Sequence, residues 1–313
     1  MPQGLATAGS SPSVPLIAGQ ELWQTRQDRE RTGLGSLLML APAAALLVVL
    51  FAIPVGYALY LGLTNQRLIG PNSVSWKFTG TQNVSRLGSD SLFWHSLWVT
   101  GLFVVGSVVG VVIVGLGLAM LLQRAPSWLR ITIGGLVVVA WMLPAITAGL
   151  TWYASTVGGG TFAVLVGNSK TDLLDSQPLL IVTLANIWSQ TGFAMLVLGA
   201  ALRNIPSEIL ETAAVEDASA WQRFGLIVLP MLRGTIVVVV LLVSLLSLAN
   251  FALIYIMTQG GPGDATNILP LYAYQQAFQF YNLAYGALVG NALVLVCAIF
   301  GVLYVRVARG TAK

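Results

Sequence analysis

The chain has 313 residues, of which 56% are hydrophobic and only 8% charged, with a net charge of +4 and a mean hydropathy of +0.82. A soluble domain carries roughly a quarter charged residues, so a chain this apolar needs lipid as its solvent. With one cysteine, Cys297, and one histidine, His95, it has neither a disulfide framework nor a cysteine or histidine metal site, and nothing in it suggests nucleic-acid binding.

Residues 1–34 read as an N-terminal tail, rich in Ser, Pro, Gly and Ala over the first twenty and therefore disordered. They are not a secretory signal. The first apolar run starts only after Arg26, Arg29 and Arg31 and is too long for a signal h-region. Ala41-Pro42-Ala43 has the look of a cleavage site, yet further apolar sequence follows it directly.

A helix needs about 20 mostly apolar residues to cross the hydrocarbon core. Runs at 35–62, 94–122, 131–155, 179–202, 234–258 and 284–305 meet that test, and none holds an Asp, Glu, Lys or Arg. The expected fold is an all-α polytopic membrane protein with six transmembrane helices over 35–305, then a C-terminal tail at 306–313. His95 falls where the second run enters the membrane. Gly106 and Gly110 form a small-xxx-small pair that lets a helix approach closely, from this chain or from another subunit.

Lys and Arg in the short connections set orientation. One set of segments holds Arg26, Arg29, Arg31, Arg124, Arg130, Arg203, Arg223, Arg233, Arg306, Arg309 and Lys313; the other holds Arg67, Lys77, Arg86 and Lys170. Eleven against four puts both termini in the cytoplasm. Proton relays and ion-coupled carriers place ionisable groups within the membrane, and these spans have none, so an ion gradient read by the chain's own side chains is not the expected energy source.

The connection between the fourth and fifth spans, about 203–233, reads as two short helices joined at a bend. Ser207 is the expected N-cap, and Glu208 suits the positive end of the helix dipole. Ser219 and Gln222 have capping-box spacing, Asp217 lies at the bend, and Pro230 marks the turn into the fifth span. This segment resembles the EAA loop of binding-protein-dependent ABC importer permeases, roughly E-A-A-x-x-D-G-A and then I-x-L-P: Glu211, Ala213, Ala218, Trp221, Phe224, Ile227, Leu229 and Pro230 match. The resemblance implies a type I importer permease fold in which this loop is the coupling helix. Glu211 would face a separate ATPase, and Ala213 and Ala214 would allow close approach. Glu216 and Asp217 stand where the family prefers Asp and Gly.

Further matches support the carbohydrate branch, which includes the maltose and glycerol-3-phosphate permeases. They are Phe78, Gly80 and Asn83, Phe93-Trp94, Gly115–Ala119 through Arg124, and Thr258–Pro262 with Thr266, Tyr274 and Ala277-Phe278. The resemblance implies uptake of a sugar, polyol, oligosaccharide or glycerophosphate across a bacterial plasma membrane. It implies four kinds of partner: a second permease, two ATPase subunits, an extracytoplasmic solute-binding protein and the lipid bilayer. No cofactor is expected on this chain, with ATP and Mg held by the ATPase.

No catalytic constellation is visible. Gly167-Asn168-Ser169-Lys170-Thr171 lacks the order of a phosphate-binding loop, and the sequon Asn83-Val84-Ser85 is a frequent chance match. A path for a neutral polyol needs amides, hydroxyls and aromatic faces. Candidates are Asn186, Trp188, Gln190, Asn250, Tyr255 and Asn291, each equally open to a role as interhelical glue or interface anchor. The rival reading is a stand-alone carrier or channel.

Overall fold

A computed structural model describes residues 34–167 and 172–311. The expected tail therefore lies outside the described residues except for Leu34, as does most of the Gly167–Thr171 segment. The principal helices are α1 (Leu34–Leu47), α2 (Ile53–Gly62), α3 (Ser91–Arg124), α4 (Ser127–Met142), α5 (Ala145–Thr156) and α6 (Pro178–Arg203). After them come α7 (Ser207–Val215), α8 (Ala220–Arg223), α9 (Leu229–Ala249), α10 (Phe251–Met257), α11 (Leu269–Tyr274) and α12 (Leu283–Thr311). The described residues up to Tyr57 form one compact unit and those from Ala58 onward a second. Helix α12 extends through most of the expected C-terminal tail.

Among the described residues, five helical stretches are long and apolar enough to cross a membrane: Met39–Gly62, Ser91–Arg124, Pro178–Arg203, Ala220–Ala249 and Leu283–Arg306. The sixth expected span exists only as a pair, with α4 and α5 bent by 107°. The cause is local. Proline drives the residue before it out of the helical region, and Leu143, ahead of Pro144, has φ −64° and ψ 136°. The fifth span also differs from expectation, stopping at Asn250 (φ −82°, ψ 61°) before α10 resumes.

Pro230 does not turn the chain. Helix α8 runs straight on through a π-helical stretch, Phe224–Val228, into α9. A proline inside a helix has no N–H to donate and crowds the carbonyl four residues back. A wider π turn just before it relieves that crowding. Here the Leu229 amide donates to Phe224 O, five residues back. The same device precedes Pro54, where Ile53 donates to Val48 O after the π stretch Val48–Ala52.

Lipid tails are as apolar as the core, so spans in a membrane associate by close packing rather than by hydrophobic exclusion. Helix α3 meets α6 through small residues. A Cβ on Gly106 would lie 3.1 Å from Thr183 Cγ2, and one on Gly115 would lie 2.6 Å from Ala194 Cβ. The Gly106–Gly110 pair thus serves contact within the chain. Helix α4 approaches α6 as closely at Gly192, where an added Cβ would sit 2.6 Å from Val137 O. Phe103, Val111, Val182, Leu198, Val239 and Val243 fill the interior, and Cys297 packs partly buried against it.

The connections around Asp90, His95 and Asp264 are tied by polar side chains. His95 Nε2 lies 3.1 Å from Asp264 O, and the hydroxyls of Thr258 and Thr266 meet at 2.7 Å. Asp90 caps α3, its Oδ1 accepting from the amides of Leu92 and Phe93 at 3.0 and 3.3 Å. Its Oδ2 accepts the hydroxyl of Tyr272 at 2.5 Å and that of Tyr285, whose ring lies under the Arg86 guanidinium. Partial burial works against the charge, but the two hydroxyls and the two amides outweigh it and hold the Asp90 carboxyl below its usual range. Burial and then Asp90 push the Tyr272 hydroxyl up.

A depressed carboxyl pKa stabilises the fold above the unfolded value, near 3.8, and that contribution is lost as pH falls through the folded value. Asp90→Asn keeps a capping oxygen but cannot accept both phenols as a carboxylate does. It is expected to cost about 1–3 kcal/mol, read as a lower Tm in detergent at neutral pH. The gap from wild type should narrow as pH drops below 3.8.

Candidate functional site

The connection from Arg203 to Leu229 is built by its own capping chemistry. Pro206, not Ser207, precedes α7: Ser207 is the first helical residue, and no side chain caps this N-terminus. Glu208 does occupy the first turn. At the other end the amide of Ala218 donates to Ala213 O at 3.0 Å and that of Asp217 to Ala214 O at 3.2 Å. These two bonds form a Schellman motif, which requires a left-handed residue where glycine is usual. Asp217 fills that place with φ +58°. The expected capping box then starts α8: Ser219 N–H donates to Gln222 Oε1 at 2.8 Å, and Gln222 N–H to Ser219 Oγ at 3.3 Å.

The bend is therefore pinned by backbone bonds on the α7 side and by the side chains of the capping box on the α8 side. Asp217 bears the conformational cost of a left-handed L-residue, about 1 kcal/mol. Asp217→Gly is expected to stabilise the protein by up to about 1 kcal/mol, read as a small rise in Tm. A fall would mean that the carboxylate makes a compensating contact.

Helix α7 turns Leu210 toward the packed interior and leaves Glu211, Ala214, Glu216 and Asp217 exposed, with Ala213 and Ala218 half-buried. Two large apolar side chains flank the bend in the open, Val215 at 85% and Trp221 at 82% exposure. Large apolar side chains left in the open are a feature of docking faces where they cluster. Val215 was not among the expected contacts. Its signal is an apolar residue one step from the bend.

Three of the six path candidates converge. Asn186 Nδ2 donates to Ser247 Oγ at 2.9 Å, and Asn186 Oδ1 accepts from Gln190 Nε2 at 2.9 Å and from Asn250 Nδ2 at 2.7 Å. Gln190 Nε2 also reaches Ser247 Oγ at 3.1 Å. Asn186 and Ser247 are fully buried and Gln190 is 6% exposed, so this is a desolvated polar node joining α6 to the end of α9. One acceptor in it, Gln190 Oε1, is buried with no donor. Ser247 escaped the sequence reading, although Ser247 and Asn250 stand three apart on one helical face.

The other candidates have different company. Trp188 packs against Trp152, ring centres 6.3 Å apart, on a cavity of about 330 Å3 that Phe162 also lines. Tyr255 stacks with Phe251 at 5.3 Å and meets Tyr274 edge-on at 5.4 Å. Asn291 Nδ2 donates to Ala58 O at 2.9 Å, a tie between α12 and the end of α2. Among the described residues no group of three or more His, Cys, Asp or Glu could hold a metal.

Residues 111–313 match the family described as binding-protein-dependent transport system inner membrane component. A trehalose transport system permease protein of Mycobacterium tuberculosis is 32% identical over 278 residues, covering 87% of both chains. A trehalose/maltose transport system permease protein of Thermococcus litoralis is 30% identical, covering 87% of this chain and 92% of that one. In fold, the chain is similar to a subunit of a bacterial alginate ABC transporter crystallised with its alginate-bound periplasmic protein. That likeness has a TM-score of 0.72 at 18% identity and covers 94% and 99% of the two chains.

Proposed function

The chain belongs to the family of binding-protein-dependent transport system inner membrane components, and from that premise we propose how it works as the permease subunit of an ABC importer for a sugar or sugar-like solute. The observation that carries the mechanism is the pair of capped helices between the fourth and fifth spans, rigid at the bend and apolar at the tip. It is the form a lever needs. In this reading α7 is the coupling helix: Glu211, Ala214 and Val215 seat in a cleft of a separate ATPase, with Ala213, Glu216, Asp217 and Ala218 shaping the bend. Helix α8 continues into α9, so a push on the bend moves the fifth span as one rod as far as Ala249. Closure of two ATPase subunits on ATP and Mg biases the permease between inward and outward states, as any two-state switch requires.

Both termini and the α7–α8 connection lie in the cytoplasm in this account, as the excess of Arg and Lys on that side supports. A second permease completes the path, and an extracytoplasmic solute-binding protein delivers the solute. Relatives named for trehalose and maltose support a disaccharide-sized neutral solute. The node of Asn186, Gln190, Ser247 and Asn250 supports the same reading. It offers amides and a hydroxyl without charge, and its Gln190 oxygen awaits a donor such as a sugar hydroxyl. The carrier alternative needs a charge to couple, and this node supplies none.

Mild-detergent purification through a C-terminal tag is the test. Co-purification of a second permease and an ATPase is expected; recovery of the chain alone, active without them, would refute the reading.

A further inference from the structure

A cavity of about 830 Å3 opens between α3, α4 and α6 and the start of α7. Its body is apolar, walled by Leu122, Val138, Val139 and Leu196, while its rim carries Gln123, Arg130, Arg203 and Ser207 and no carboxylate. The volume lies within the roughly 300–1,000 Å3 of cavities that enclose small molecules. The wall is open to the outside of the helix bundle: Ile131 is 72% exposed, Val139 57% and Leu196 44%.

Depth decides what such a groove faces. Arg203 is the last residue of the span Pro178–Arg203, and Arg130 comes immediately before the apolar run of α4. Both guanidiniums therefore stand at the level where hydrocarbon gives way to headgroups, and the exposed wall below them meets acyl chains rather than water. Basic pockets between spans at this level attract anionic headgroups, and guanidinium pairs with phosphate through parallel hydrogen bonds. A free anion would use the rim and leave the apolar body unfilled. An apolar helix of a partner would leave two cations unmatched.

We propose that this cavity is a binding site for an anionic phospholipid, with the phosphate held by Arg130 and Arg203 and an acyl chain lying along the α4–α6 wall. Ile205, Ser207 and Leu210 belong to the same lining. A bound lipid thus also packs against the root of α7 and steadies the segment that leads into the bend. The site depends only on the chain being embedded in a membrane, so it stands or falls separately from the solute assignment.

Two variants separate headgroup from chain. Arg130→Gln with Arg203→Gln removes the cations. Gly135→Leu fills the groove, and because nothing lies within 4 Å of a Cβ at Gly135, the new side chain enters the cavity without displacing protein. The full chain, purified in mild detergent, is titrated with phosphatidylglycerol, with phosphatidylcholine and with inorganic phosphate, followed by thermal shift and by retained lipid in native mass spectrometry.

Phosphatidylglycerol is expected to raise Tm and to stay bound where phosphatidylcholine does not. The arginine pair variant should weaken it roughly tenfold or more, and Gly135→Leu should abolish retention with both arginines in place. Equal effects of the two lipids, or wild-type retention in either variant, would overturn the proposal. So would displacement of the lipid by inorganic phosphate, which would mark a free-anion site. Loss of a second permease from the Gly135→Leu complex with lipid retention unchanged would assign the groove to a partner helix instead.

Discussion

Glu211→Ala combined with Ala214→Trp is expected to abolish ATP-driven uptake while the protein still folds and inserts. Both positions are exposed, and substitutions at such positions usually shift stability by no more than about 0.5 kcal/mol. The fold should therefore survive with nearly unchanged Tm. Removing a central anchor at an interface costs about 2 kcal/mol or more, and an indole in place of a methyl prevents close seating of α7 altogether. A weakening of at least thirtyfold in ATPase attachment follows, with uptake falling in parallel. Uptake at the wild-type rate in this variant, measured in cells expressing the whole transporter, would remove α7 from the coupling role.

The second large effect is expected at Asn186. Its carboxamide makes three of the four hydrogen bonds in the node, to Gln190, Ser247 and Asn250. Asn186→Leu takes one partner each from the buried Gln190 amide, the half-buried Asn250 amide and the buried Ser247 hydroxyl, leaving only the Gln190–Ser247 bond. Two of the lost bonds, to Ser247 and Asn250, cross between helices; such bonds in membranes average about 0.6 kcal/mol each, so a loss of roughly 1 kcal/mol is expected, together with loss of transport. Gln190→Ala and Asn250→Ala separate structure from solute contact. Each breaks fewer bonds, so expression should hold while the apparent affinity for solute drops several-fold. If affinity is unchanged in both, the node is interhelical glue and the solute passes elsewhere.

The spans were legible because apolar length is a property of the sequence alone, and burial of charge is forbidden at every depth of the runs. Direction within a run is not written in hydropathy. The stretch 131–155 is apolar throughout, and only Leu143-Pro144 carries the 107° bend between α4 and α5. Pro230 shows the opposite error, a proline read as a turn where a π-helical stretch lets the helix pass. Capping chemistry was more readable: Ser219 and Gln222 form the box their spacing implies, and the departure at Asp217 is explained by its left-handed φ. Ser207 was displaced by Pro206 because the preceding turn, not the hydroxyl, sets the helix start.

The node was half visible. Asn186 and Gln190 share a helix face four residues apart, and Ser247 and Asn250 share one three apart, but which face meets which is decided by packing of α6 on α9. Asp90 was missed because acidic residues were read for capping only in the 203–233 connection, though an aspartate just before a long apolar run is a helix-start signal. Arg130 and Arg203 were likewise counted as orientation signals, and only the cavity between their helices gives them a second use.

The central claim is that this chain moves solute only when a separate ATPase works its α7–α8 bend. Uptake of a labelled disaccharide into proteoliposomes holding the purified complex, with binding protein added on the face opposite the ATPase, measures this directly. The account predicts uptake that requires both the ATPase and hydrolysable ATP and that stops in the Glu211→Ala, Ala214→Trp variant. Uptake by the chain alone, without ATP, would contradict it.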